Sequence, residues 1–360
     1  MKRIRYFDIL RIVSTALVIW YHMVIQLAIS GIYPQGALDP LYSNANAHAA
    51  TLAVSVFFML SGACQMIGKK EDFRIGKFYR KRFLTLLIPF YIAWILYFIF
   101  HLFVHPEILT FFRTVPKKRF LYTILGMDEW ISMHGTATFS LHIGEWFLGC
   151  LVVLTLLFPF FRWVMLKAKH LFFAAATILF VLCAVNYDAL CSRFGISVPW
   201  NMSLFLKGYE YVLGMYLALV LPGWKPLWKI PAVFLSLLFL FSTAVFPGNA
   251  AIKTTLFAAA FFISVSLLEP LLQKEKAASF VRVMAFLAGF SYPLFLAHHA
   301  VIYEITPAAA SRLSGPWSAV LLFAGELLVM TAAALVIQFL SKKAVSLLRG
   351  IFQKGGKEEA

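Results

Sequence analysis

Ten apolar runs of about 20 residues fill most of this chain, and a helix needs a run of that length to cross the hydrocarbon core of a bilayer. They cover residues 7–30, 50–68, 83–105, 146–165, 171–187, 202–221, 230–247, 253–271, 283–304 and 318–340. Hydrocarbon offers no water to the backbone, so a crossing segment must close its N–H and C=O groups on itself, as a helix does. Composition agrees: 61% of residues are hydrophobic and 13% are charged, against roughly 25% charged in soluble domains. The expected fold is an all-α, polytopic membrane helix bundle with about ten transmembrane helices.

The net charge of +16 would suit a nucleic-acid partner if the cations formed one patch. They alternate between loops instead. With the N-terminal "MKRIR" in the cytoplasm, 23 Lys and Arg, Arg162 among them, are counted on inside loop segments and seven on outside ones, the seven being Arg113, Lys117, Lys118, Arg119, Arg193, Lys253 and Arg312, while Arg11 and Lys207 lie within spans. This bias is the positive-inside pattern and predicts that both termini are cytoplasmic. The charge then reports topology and contact with anionic membrane lipids, and no nucleic-acid partner is expected.

The first run shares the basic start of a secretory signal. Asp8 and Arg11 interrupt it, it is too long, and no small-residue cleavage site follows cleanly, so a retained helix is expected. Cys64, Cys150 and Cys183 fall in runs and Cys191 in a loop, without metal or redox spacing, which reads as packing. No residue is assigned to a metal. Linkers, low-complexity tracts and convincing repeats are lacking. Residues 1–345 are expected to form one integral membrane domain and 346–360, ending "QKGGKEEA", a solvated cytoplasmic tail. The one long connection, 106–145, falls outside by charge, and loops of this length are usually functional. Within it, "FFRTVPKKRFLYTILG" suits an amphipathic helix along the interface.

Ionisable residues stand out against this background, because a charge within a span is costly and normally faces a bundle interior or a wet cavity. In "RIVSTALVIWYH", Arg11 and His22 are eleven residues apart, which returns them to within roughly 20° of one helix face, about 16 Å apart along the axis. Asp8 and Thr15 share that face, and Asp8, one turn away, is the expected partner of Arg11. The alternative is an arginine reaching to headgroups and a histidine tied across helices.

In "KFYRKRFLTLLIPFY", Lys77, Arg80, Lys81 and Arg82 crowd the entry to the third run, with Pro89 inside it. They are either a topological anchor or an anion site whose arginine forks suit phosphate. "FFMLSGACQ" puts Ser61 and Gly62 in the second run, where small residues also permit close packing. "SYPLFLAHHAVIYEI" gathers Ser291, Tyr292, His298 and His299, with Glu304 toward the outer end. Adjacent histidines do not share a helix face, so one is expected to point away from any common site. "GEWFLGC" contributes Glu145 and Trp146 at the outer start of the fourth run, and Glu145 is the informative one, since tryptophan is common at interfaces.

Taken in order, these segments resemble the membrane acyltransferase-3 family: an arginine, ten residues and a histidine; an "FFMLSG" second helix; a basic entry to a third helix with its proline; a "WFL" start to the fourth; and "SYPLFLAHH" near the end. Each motif alone is weak, but five in order across nearly the whole chain are specific. The resemblance, to the single-domain form of the family, implies transfer of an acyl group, usually acetyl from cytoplasmic acetyl-CoA, onto a hydroxyl of a cell-surface or lipid-linked glycan. It implies His22 as the catalytic residue and Arg11 with Arg82 as holders of the donor. From the residues themselves, His298, His299 and Glu145 join the catalytic candidates. Lys77, Arg80 and Ser61 join the donor contacts, and Asp8, Trp146, Ser291 and Tyr292 are supports.

One departure matters: family members often carry a second arginine three residues after the position of Arg82, and here that position is Thr85. Arg80 or Lys77 is then expected to supply the charge. The chain stops soon after the tenth run, so acceptor handling is expected to fall to the membrane domain, its outer loops or partners. No permanently bound cofactor is expected; acyl-CoA is a substrate. The expected location is the plasma membrane of a bacterial cell.

Histidine has a pKa suited to taking a proton from a hydroxyl near neutral pH. Direct attack and a prior acyl-enzyme both remain open on sequence. The rival reading is a transporter or flippase for a lipid-linked glycan, with charges lining a pathway; the lack of a repeat and the five ordered motifs oppose it. Topology is directly testable in a cysteine-free background. Cysteines at residues 40, 130 and 190 should react with an impermeant maleimide from outside and those at 72 and 275 should not; uniform labelling of all five would sink the assignment.

Overall fold

The computed structural model describes residues 3–30, 44–67, 73–241, 248–310, 312 and 316–358. Lys69, Lys70, positions 40 and 72, and the end of the seventh run lie outside the described residues. All regular structure among the described residues is helical. The longer helices are α1 (Tyr6–Ile29), α2 (Asn44–Met66), α3 (Ile75–Arg82) and α4 (Ile88–Val104). After the short α5 (Ile108–Thr114), α6 (Phe120–Ile124) and α7 (Asp128–Ser132) come α8 (Glu145–Val185), α9 (Tyr187–Phe194), α10 (Leu204–Val220), α11 (Pro226–Phe241), α12 (Ala250–Ser266), α13 (Glu269–Leu272), α14 (Ala278–Ala310) and α15 (Pro316–Glu358).

Eight helical stretches among the described residues are long and apolar enough to cross a membrane. The difference from ten lies in two places. The fourth and fifth expected runs are fused in Trp146–Val185, with a kink at Ala168 (φ −144°, ψ 54°) where the helical path breaks. The seventh is a shorter apolar helix, Pro226–Leu238. Their outer faces stay apolar where they are exposed, as at Leu156 and Phe160 of α8 and Leu321 and Leu328 of α15, which suits lipid as the surrounding medium. Helix continues to Glu358, through the residues expected as a tail.

Two local features depart from simple expectation, and proline explains both. The interfacial segment is three short helical pieces, α5, a 3-10 turn at Lys117–Arg119 and α6, rather than one helix. Pro116 restricts the residue before it to extended backbone, and Val115 sits at φ −80°, ψ 125°. Between α3 and α4 the chain makes a π-helical turn, Phe83–Leu87. Pro89 lacks an N–H for the carbonyl of Thr85 and its ring crowds that carbonyl, so the helix widens instead of breaking.

Two compact units account for the chain: Met1–Phe73, Val153–Ser291 and Ala310–Pro316 form the first, and Arg74–Val152, Tyr292–Ala309 and Trp317–Ala360 the second. In the first, α2 and α10 touch backbone to backbone. A Cβ on Gly62 would lie 2.0 Å from Tyr211 O, and one on Gly214 would lie 1.9 Å from Met59 O. The small residue read at Gly62 therefore does serve close packing.

Beside that contact lies a buried polar network. Lys207 Nζ donates to both Glu210 carboxylate oxygens, at 2.9 and 3.0 Å, and to Ser55 Oγ at 3.1 Å. Ser55 Oγ and Thr255 Oγ1 donate to Glu210 Oε1 at 2.7 and 3.0 Å. All three N–H groups of the ammonium are used, which is what makes burial of the pair tolerable. Arg162, counted above as a loop cation, is also buried. Its guanidinium lies over the Phe73 ring and 3.5 Å from Met66 O, at the end of α2.

In the second unit, aromatic rings clamp the long connection to α4. Trp94 stacks on Phe98 and Phe112, and its Nε1 donates to Phe139 O at 3.1 Å. Two glycine substitutions test the packing account. Gly214→Ala should cost about 3 kcal/mol or more, because backbone must move to admit the methyl. Gly325→Ala, with open space around it, should be neutral or slightly stabilising. Thermal unfolding of the detergent-purified variants reads both, and equal behaviour would contradict the contact.

Candidate active site

The first unit holds the motif with which α1 begins. Its N-terminal N–H groups receive no side-chain cap from Arg5. Glu269 of α13 takes that role, accepting from the N–H of Arg5 at 2.9 Å and of Tyr6 at 3.0 Å. Asp8 is buried. Arg11 Nη1 donates to its Oδ1 at 3.3 Å, the pair expected from their spacing. A stronger partner was missed: Arg3 grips the same carboxylate with two bonds of 2.8 and 2.9 Å. Arg11 Nη2 also donates to Cys64 Sγ at 3.0 Å, tying α1 to α2 just after the "FFMLSG" motif. Its side chain is 32% exposed, which leaves part of the guanidinium open to an anion. Thr15 Oγ1 turns back to Arg11 O at 2.8 Å. His22 is half-buried on the same face, edge-on to the Tyr21 ring. Ser61 Oγ bonds its own helix at Phe57 O, 2.8 Å away.

The second unit brings together the other three motifs. Lys77, Arg80 and Lys81 of α3 are exposed, while Arg82 is half-buried with its guanidinium 5.6 Å from the Phe78 ring centre. Tyr292 donates its hydroxyl to Leu86 O at 2.8 Å, so "SYPLFLAHH" is bonded to the π turn that follows Arg82. π turns recur at functional sites. The Phe147 ring of the "WFL" motif meets Phe295 edge to face at 5.3 Å. Trp146 is buried, and Glu145 opens α8 with its side chain outside the described residues. Ser291, which belongs to the first unit, donates to Ala288 O at 2.9 Å.

His298 and His299 are both buried, with ring centres 4.5 Å apart. His298 Nδ1 lies 2.6 Å from Phe295 O, and His299 stacks on Tyr303.

Sequence reasoning missed a cluster in the long connection. His142 has φ 58°, a left-handed conformation uncommon outside glycine, two residues before Gly144 at φ 79°. Its Nδ1 lies 3.2 Å from Glu129 Oε1, Ser140 Oγ donates to Glu129 Oε2, and the N–H of His142 donates back to Ser140 Oγ at 3.1 Å. These contacts join residues eleven and thirteen apart in irregular chain, which no helical or strand period signals. Beneath them Asp128 is 2% exposed, and burial pushes its carboxyl up to about 6.

The acyltransferase-3 family model, described as an acyltransferase domain, matches residues 4–338. No curated protein and no solved structure gives a match.

Asp128 makes the connection pH-sensitive. Its folded pKa lies above the unfolded value, so its contribution to stability is complete below about pH 4 and is lost as pH rises through about 6, where a buried carboxylate must ionise. Asp128→Asn should therefore stabilise the protein by about 3 kcal/mol at pH 8, with the gain shrinking to near zero at pH 4. Thermal unfolding across this pH range checks it; a gain that does not vary with pH would refute the assignment.

Proposed function

The chain belongs to the acyltransferase-3 family and is a multi-pass membrane acyltransferase, and from that premise we propose that it moves an acyl group, in the first instance acetyl, from cytoplasmic acyl-CoA to a hydroxyl of a cell-surface or lipid-linked glycan at the plasma membrane of a bacterial cell. One observation carries this reading: the single face of α1. A guanidinium steadied by Asp8 and Cys64 sits near its start, and a half-buried imidazole lies about 16 Å farther along the same face. That separation suits a donor whose phosphates and thioester are far apart. Arg11 meets the phosphates, with Arg82 as the second arginine and Lys77, Arg80 and Ser61 as auxiliary contacts. The pantetheine arm then runs toward His22.

In this reading His22 accepts the proton of the acceptor hydroxyl as its oxygen attacks the thioester carbonyl. The tetrahedral intermediate collapses, the C–S bond breaks, and the proton passes to the departing CoA thiolate. Asp8 steadies Arg11, and Tyr292 steadies the turn after Arg82.

The test is turnover with labelled acetyl-CoA and an envelope glycan fraction, alongside donor binding to the same purified protein. His22→Ala and His22→Gln should each lower turnover roughly 100-fold or more and leave donor affinity intact. Arg11→Ala should weaken donor binding by about 1.5–3 kcal/mol, the worth of a hydrogen bond to a charged group. Near-normal turnover with Gln would mean that His22 only ties helices together, and the assignment would fail.

A further inference from the structure

A second group of ionisable side chains lies in the second unit and takes no part in the reaction above. His101 and His105 stand four residues apart at the end of α4, so they share a face. Glu304 of α14 reaches them: its Oε2 is 2.9 Å from His105 Nε2 and its Oε1 is 4.0 Å from His101 Nε2. The candidate ligand atoms of the three residues lie within 4.8 Å of one another.

From this arrangement we propose that His101, His105 and Glu304 bind a divalent transition metal ion of the zinc class. Two imidazoles and one carboxylate are a donor set that suits zinc. Zinc–ligand bonds of about 2.0–2.1 Å at tetrahedral angles put ligand atoms about 3.3–3.4 Å apart, a spacing bracketed by the 2.9 and 4.0 Å separations here. The surroundings orient His105 and Glu304 as metal sites require. His105 Nδ1 lies 3.2 Å from Glu107 Oε1, a carboxylate that fixes the ring and leaves Nε2 for the ion. Tyr97 donates its hydroxyl to Glu304 Oε1 at 2.9 Å. His101 makes no hydrogen bond to Glu304, since its Nε2 is 4.0 Å from the nearer carboxylate oxygen, a gap that an ion between them would fill; its Nδ1 is buried with no hydrogen-bond partner.

A plain hydrogen-bonded His–Glu pair accounts for His105 but leaves His101 unexplained. Three protein ligands leave a fourth position for water or an oxygen ligand, the count found in catalytic rather than closed structural zinc sites. Tyr97 and Glu304 also line a cavity of about 340 Å³ whose other walls, among them Leu96, Phe100, Val329 and Ile337, are apolar. The ion would sit where that cavity turns polar.

The experiment uses the full-length protein in detergent, free of any histidine tag and stripped with a chelator. Equilibrium dialysis against micromolar zinc, read by elemental mass spectrometry, should give one ion per chain, and cobalt loading should give the intense visible absorption of a tetrahedral site. His101→Ala and Glu304→Gln should abolish both signals. Glu107→Gln, which removes only the orienting carboxylate, should weaken affinity about tenfold. His134→Ala, an exposed histidine bonded to Trp130 O, should change nothing. Gel filtration checks that each variant is folded, and Glu304→Gln keeps an acceptor for Tyr97. Absence of zinc uptake by the unmodified protein, or undiminished uptake by folded Glu304→Gln, would overturn the proposal whatever the outcome for acyl transfer.

Discussion

Contact between the backbones of α2 and α10 at Gly62 and Gly214 is the constraint on which the first unit depends. Lipid tails are as apolar as leucine, so helices in a membrane gain little from hydrophobic burial and associate through close packing and polar contacts. Ser55, Met59 and Gly62 repeat at intervals of four and three residues along one face of α2, and Lys207, Glu210 and Gly214 do so at three and four along α10. The glycines bring these faces together, and the ion pair then becomes affordable because Ser55 and Thr255 complete its hydrogen bonds. A shift of one residue in either helix would set a Cβ against a carbonyl and strand a buried charge. Packing and electrostatics thus specify the same register.

The face of α1 hangs from that pair. Arg11 reaches Cys64, two residues beyond Gly62 on α2, and Glu269 closes the N–H groups at the start of α1. Asp8 is consequently a structural partner with two arginines on it, and the Arg11 side chain is held while still partly exposed. A cation fixed in this way loses little freedom on meeting a phosphate. The order of the motifs in the chain has a physical sense here, because the second motif anchors the first.

Much of this was legible in the sequence, for identifiable reasons. Apolar length gave the spans, and the 3.6-residue period put Asp8, Arg11 and His22 on one face. What escaped depends on partners distant in the chain. Arg3 read as a terminal topological charge until its bonds to Asp8 were seen, and Arg162 read as a loop cation although it is buried over Phe73. Lys207 was visible as a charge within a span, but Ser55 and Thr255, 152 and 48 residues away in number, carry no sign of the bonds they make. Pro116 and Pro89 did carry their signal: each removes a donor and displaces the backbone before it.

The wide turn after Arg82 bears on the missing second arginine. In a continuous α-helix a residue three positions on from Arg82 would lie one turn above it on the same face. A π turn holds i→i+5 bonds, so counting by three across Phe83–Leu87 no longer returns to that face. Thr85 at this position bonds its own backbone, at Lys81 O, 2.9 Å away. On the near side of the turn, Lys77, Arg80 and Lys81 share one face and are exposed, whereas Phe78 and Arg82 share another, with the cation over the ring. Of the four charges crowding this entry, Arg82 is the half-buried one, and the hydroxyl of Tyr292 on Leu86 restrains the turn beyond it. In the proposed reading, Arg82 and exposed neighbours of the same sign stand in for an arginine pair; a diphosphate suits that arrangement, because several oxygens within reach of one fork need not be met from two fixed directions.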